Sequence, residues 1–134
     1  MRVAKMGQYV EYNANPTNRR VGDCTVRAIS TALGEKWEDT YSGMAIQGLI
    51  MADMPSANVV WASYLKFKGF EKHPIPNDCP DCYTVKDFCK DHPQGTFVLA
   101  LNGHAVAVKD GRYYDIWDSG NEVPFYYFEK TKGE

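Results

Sequence analysis

The sequence predicts an α+β fold, with N-terminal helices packed on a C-terminal antiparallel sheet, as one domain over residues 1–134. Three observations carry that prediction. Apolar residues recur at helical spacing from Cys24 to about Gly69. Alternating β-branched and aromatic runs fill the chain after Gly95. The two patterns are segregated rather than interleaved, which argues against βαβ units and a parallel sheet.

The elements follow in order. The first 20 residues are polar and contain "NANPTNRR", a loop. A helix starts at Cys24, with Asp23 as candidate N-cap and Gly34 placed to end it in the left-handed conformation. Val26, Ile29, Ala32 and Leu33 form its core stripe. A second helix runs from Lys36 to Met54, with Trp37, Tyr41 and Met44 on one stripe, and Pro55 stops it. "NVVWASYLKFKGF" reads as a third helix. "EKHPIPNDCPD" reads as a loop or short edge strand, because its prolines exclude a helix interior. Thr84 caps a short helix ending near His92. The strands are "GTFVLAL", "HAVAVK", "RYYDIWD" and "VPFYYFEK". Asp110-Gly111 joins two of them as a two-residue hairpin turn.

Composition narrows the function classes. A net charge of −2 gives no reason to expect nucleic acid or a membrane surface as partner. No apolar run approaches the roughly 20 residues that span a bilayer. The start lacks a signal-peptide apolar region, so a cytoplasmic protein is expected, its four cysteines being reduced thiols, metal ligands or a catalytic group.

Cys24 opens a helix, where unpaired N–H groups and the helix dipole favour a thiolate. An adjacent imidazole would complete its activation. Among His73, His92 and His104, only His104 begins a strand at a sheet rim. With a two-residue turn at Asp110-Gly111, residue 109 pairs with 112 and 104 with 117. His104 then shares a face with Tyr113, Asp115 and Trp117. Asp115 would accept from the imidazole Nδ1–H, with Trp117 shielding the pair. Asp118 is the rival, because a bulge at the turn would swap the faces. The plain alternative is that Cys24 is a small core residue and His104 and the two aspartates are rim residues.

A second cluster is "CPDCYTVKDFCKDH". Cys79, Cys82, Cys89 and His92 have the composition of a Cys3His zinc site. Phe88, Cys89 and Val85 are also what a short helix buries against a sheet, so Cys89 reads equally as core, and no bound zinc is expected.

The order Cys24, "HAVAV" from His104 and "DIW" from Asp115 to Trp117 resembles the papain-like cysteine peptidase superfamily, over most of the chain and in compact form. It is also similar to short proteins of bacterial viruses. The family resemblance implies Cys24 as nucleophile, His104 as general base and acid, and Asp115 as orienting residue. It also implies an oxyanion-hole side chain six residues before the nucleophile, which falls on Asn18, beside the Cys24 N–H. The expected activity is amide or isopeptide hydrolysis of a protein or peptide through a thioester, with no cofactor. Trp61, Tyr64 and the "NANPTNRR" segment are the candidate specificity residues. The alternative function is an inactive papain-like domain or a zinc-stabilised binding module.

Overall fold

A computed structural model describes residues 8–77 and 81–131. Its elements are β1 (Tyr9–Glu11), α1 (Cys24–Leu33), α2 (Trp37–Met51), α3 (Asn58–Phe67), β2 (Phe70–Pro74), α4 (Val85–Asp91), β3 (Thr96–Leu101), β4 (His104–Lys109), β5 (Arg112–Asp115) and β6 (Tyr126–Lys130). The chain is α+β as expected, but the sheet is mixed. Its six strands run in the order β1-β5-β4-β3-β6-β2, with β1 parallel to β5 and the other pairs antiparallel. The expectation of a purely antiparallel sheet and a wholly irregular first segment is corrected here. Three residues are too few for alternation to register, and Tyr9–Glu11 become a strand because β5 offers an open edge.

The two sheet faces are covered differently. On one, α1 lies against β4 and β3, where Ala105 and Ala107 of β4 and Ala100 of β3 leave room for a helix to approach. Val26, Ile29 and Ala32 of α1 are buried there with Trp61, Leu65 and Phe128. Complete burial of Ile29 contributes about 2 kcal/mol, so Ile29→Ala would loosen α1 directly. On the other face, Val85, Phe88 and Cys89 of α4 meet Phe97, Leu99, Val106, Val108 and Tyr113. The Thr84 capping box with Asp87 starts α4 as expected.

Two turns fix the site's frame. Gly34 ends α1 at φ 69°. Asp110 and Gly111 take φ 50° and 79°, giving the tight hairpin with Lys109 opposite Arg112 and no bulge. Pairing of β4 with β5 runs only to Ala107 opposite Tyr114, so the expected pair of 104 with 117 does not form. The reason is local. The Asp115 carboxylate accepts from the Ile116 N–H (2.8 Å), which bends the chain off the sheet. β2 is an edge strand, where its Pro74 removes no essential ladder bond. Among the described residues no helix is long and apolar enough to cross a membrane.

Candidate active site

α1 begins at the rim of the sheet, at the end of β4 where β5 has already diverged. That geometry brings Cys24 and His104 together from different elements. Cys24 and His104 line the same cleft, and the His104 ring and the Ala105 backbone N–H both act on the thiol. The His104 Nε2 lies 2.7 Å from Asp115 Oδ2. Trp117 packs its ring 5.0 Å from the imidazole while staying 42% exposed, so it covers one side of the histidine only.

One expectation about this contact is corrected. Asp115 receives Nε2 and not Nδ1. The ring nitrogen left for the thiol is therefore Nδ1. The sequence gives parity along the strand but not the rotation of the ring about its own bonds.

Asp115 is buried and fully engaged. Its Oδ2 also accepts from Ser119 Oγ (2.7 Å), and its Oδ1 accepts from the Ile116 N–H and from Arg27 (3.3 Å). Asp118 does not approach the histidine. It accepts from the Tyr113 hydroxyl and from the Gly120 N–H (3.0 Å).

The electrostatics follow from these partners. Burial pushes the Cys24 thiol up, but the hydrogen bond and charge of His104, the Ala105 N–H and the Arg27 charge together hold it below its ordinary value. Burial pushes His104 down, and hydrogen bonds to Asp115 and Cys24 with their negative charges overcome it, raising the imidazole to about 9. Asp115 is disfavoured by burial as an anion, yet His104, Ser119 and the Ile116 N–H keep it ionised below the usual carboxylate range. All three shifts favour the charged forms, a thiolate beside an imidazolium backed by a carboxylate.

Asn18 is not part of this arrangement, a correction to the oxyanion-hole expectation. A turn in which its N–H donates to the Asn15 carbonyl (2.9 Å) holds Asn18 at φ 58°. The residue is exposed and lines a separate hollow with Glu11, Tyr12 and Arg20. Spacing of six along a loop carries no direction, and this loop turns the other way. The donors that remain beside Cys24 are the first backbone amides of α1. The Asp23 side chain makes no cap bond to them, contrary to the expected N-cap role. Its carboxylate accepts instead from Arg27 Nε (2.8 Å), Trp37 Nε1 (2.9 Å) and Asn15 Nδ2 (3.2 Å).

A cleft of about 430 Å³ opens over Cys24 and His104. Trp61, Tyr126 and Phe125 supply apolar wall, and Ser56, Asn58 and Asn102 supply polar groups without charge. Trp61 is thus in the cleft. Tyr64 is not, because its hydroxyl donates to Glu35 (3.2 Å) on the far side of the helices. Asn13, Asn18 and Arg20 of the "NANPTNRR" segment or its border line the other hollow, not this one.

The described members of the second cysteine cluster, Cys82, Cys89 and His92, form no metal-holding group. Cys79 lies outside the described residues. Cys82 is disulfide-bonded, which departs from the expectation of reduced thiols and closes that sulfur as a metal thiolate. Cys89 is 2% exposed in the α4 core, where burial pushes its thiol up to about 12. The His92 ring stacks on Phe88, and its Nδ1 lies 2.9 Å from the Phe88 carbonyl oxygen. Among the described residues no three His, Cys, Asp or Glu side chains are grouped to hold a metal.

The residues that sequence reasoning missed are Arg27, Ser119 and the Ala105 amide. Asp23 and Arg27 stand at i,i+4, a spacing that signals a helical ion pair. Nothing in the sequence signals that the same guanidinium reaches Asp115, 88 positions away. Comparisons with family models, curated proteins and solved structures find no match for the chain.

Proposed function

We propose that the protein is a cysteine hydrolase of papain-like design, cleaving an amide or isopeptide bond of a protein or peptide through a thioester. The observation that carries this reading is the grouping of three side chains: Cys24 and His104 line one cleft, and the His104 ring is hydrogen-bonded to buried Asp115, with the thiol pushed down and the imidazole up. A core cysteine needs none of these partners. The order of elements, a nucleophile at the start of a helix packed on strands that carry the histidine and the carboxylate, supports the papain-like comparison.

The chemistry follows from the geometry. The Cys24 thiolate attacks the carbonyl carbon, a C–S bond forms, and the π electrons move to oxygen. The α1 amides at Cys24 and Thr25 are the nearest preorganised donors for that oxyanion. As the tetrahedral species collapses, the C–N bond breaks and the His104 Nδ1–H protonates the departing amine. Water then gives its proton to the neutral imidazole and attacks the thioester. The C–S bond breaks, the acid leaves, and the thiolate–imidazolium pair is restored. Asp115 holds the ring in place throughout and balances the imidazolium charge. The uncharged, aromatic-walled cleft suits a neutral segment of polypeptide on the acyl side.

The test is to tag new amino groups in a peptide mixture treated with wild type or Cys24→Ser. New amines only in the wild-type sample support the proposal. Identical samples, with Cys24 no more reactive than an ordinary thiol, overturn it.

A further inference from the structure

The side chain of Arg27 is 8% exposed and lies one helical turn after Cys24. Its Nε donates to Asp23 Oδ1 at 2.8 Å, and its Nη1 reaches Asp115 Oδ1 at 3.3 Å. Asp23 is itself fixed from the other side by the Trp37 indole N–H of α2 and by Asn15. A line of contacts therefore runs from the start of α2 through Asp23, Arg27 and Asp115 to His104, which lines the cleft with Cys24. A surface i,i+4 pair has no need to extend across the fold to a strand end.

We infer that Arg27 is a positioning residue of the Cys24 site: its guanidinium, anchored on Asp23, holds the Asp115 carboxylate in the orientation that receives His104. The inference rests on the hydrolase reading and adds a residue to it.

Charge supports this role. Asp23 and Asp115 are both buried, at 7% and 2% exposure. With the Cys24 thiolate the pocket holds three anions, against Arg27 and the His104 imidazolium. Without Arg27 a single imidazolium would face all three, and Asp115 would be drawn toward its protonated form. Two charged groups near α1 are held away from this pocket. Lys109 of β4 donates to the Thr31 carbonyl at the far end of the helix, and Glu35 pairs with Lys68. The fork matters as well as the charge. Arg27 donates to the two carboxylates through different nitrogens, and a lysine ammonium has one donor centre for both.

The experiment measures the rate of Cys24 alkylation by iodoacetamide against pH in wild type, Arg27→Gln and Arg27→Lys, with a thermal melt of each. The expected result is a thiolate midpoint about one pH unit higher in Arg27→Gln, hence about tenfold slower alkylation below the midpoint. Arg27→Lys is expected to shift in the same direction by less, a partial rescue by charge. A residue that served stability alone would lower the melting temperature and leave the midpoint of the folded molecules unchanged, and that result overturns the inference. If Arg27→Gln does not fold, Arg27→Lys, which keeps the buried charge, decides by the same criterion. Wild-type Cys24 that reacts as an ordinary thiol would instead overturn the hydrolase reading. A reactive wild type with unshifted variants overturns only the role of Arg27.

Discussion

Cys24, half-buried, and Cys89, buried, are both helix residues, and burial opposes ionisation at both. They end on opposite sides of an ordinary thiol. Cys24 stands at the open end of α1, against an imidazole, a backbone N–H and a buried guanidinium. Cys89 stands inside α4, packed with Phe88, Val85 and the strand residues, and burial drives its shift. What decides the reactivity of a thiol held partly or wholly out of water is therefore the set of donors around the sulfur. Desolvation alone makes the residue a small hydrophobe.

The largest change expected from this contrast comes from His104→Ala. It removes the first hydrogen bond and the nearest positive charge from Cys24, bringing the thiol toward the behaviour of Cys89. Alkylation of Cys24 at pH 6 should fall about 10²-fold, the thiolate fraction left to a free thiol of ordinary pKa. A smaller loss at pH 6 than at pH 9 would show that the histidine does not create the thiolate.

Asp115→Ala should act less strongly. The imidazole keeps its contact with the thiol but loses its counter-charge and its orientation, so acylation should slow by about tenfold to 10²-fold. Retained rates with a normal melt would remove Asp115 from the site. Both residues were legible in the sequence. Alternation along "RYYDIWD" and the Asp110-Gly111 turn gave the side of the sheet, and the turn formed without a bulge. The ring nitrogen was not legible, because rotation of a histidine depends on what packs around it. Asn18 failed for a related reason. Helices and strands convert spacing into direction, and a loop does not. β1 and the reach of Arg27 were hidden because each exists only through a partner far along the chain.

Cys24→Ser separates the pair by its effect on stability. If Cys24 and His104 form the proposed thiolate–imidazolium pair, the folded pair holds one proton between the ordinary histidine pKa of about 6.5 and the ordinary thiol pKa of about 8.5. The unfolded chain also holds one there, on the thiol. Stability should therefore be flat with pH across that window, and it should rise with pH below it, where the unfolded histidine gains a proton and the folded thiolate does not. In Cys24→Ser, His104 remains raised by Asp115 alone. Its contribution is complete below about 6.5 and is lost as pH rises through the folded value, giving a fall of about 1 kcal/mol. Denaturant melts from pH 6 to 9 read the difference, and equal slopes in the two proteins would contradict the charged pair.

Two substitutions should leave Cys24 nearly untouched. Cys89→Ala should cost about 1 kcal/mol of stability through the methyl-sized void it leaves, with the Cys24 rate profile unchanged. Asp118→Ala should change that profile by less than about twofold, because Asp118 serves Tyr113 and the Gly120 amide and not the imidazole. A large loss in Asp118→Ala would exchange the roles of the two aspartates.

The most direct measurement is a titration of thiolate absorbance in the ultraviolet, taken for wild type, Cys24→Ser and Cys89→Ala. The account predicts a thiolate step well below the free-thiol value of about 8.5 that vanishes in Cys24→Ser and persists in Cys89→Ala. A Cys24 step at or above that value, or one that survives Cys24→Ser, would contradict it.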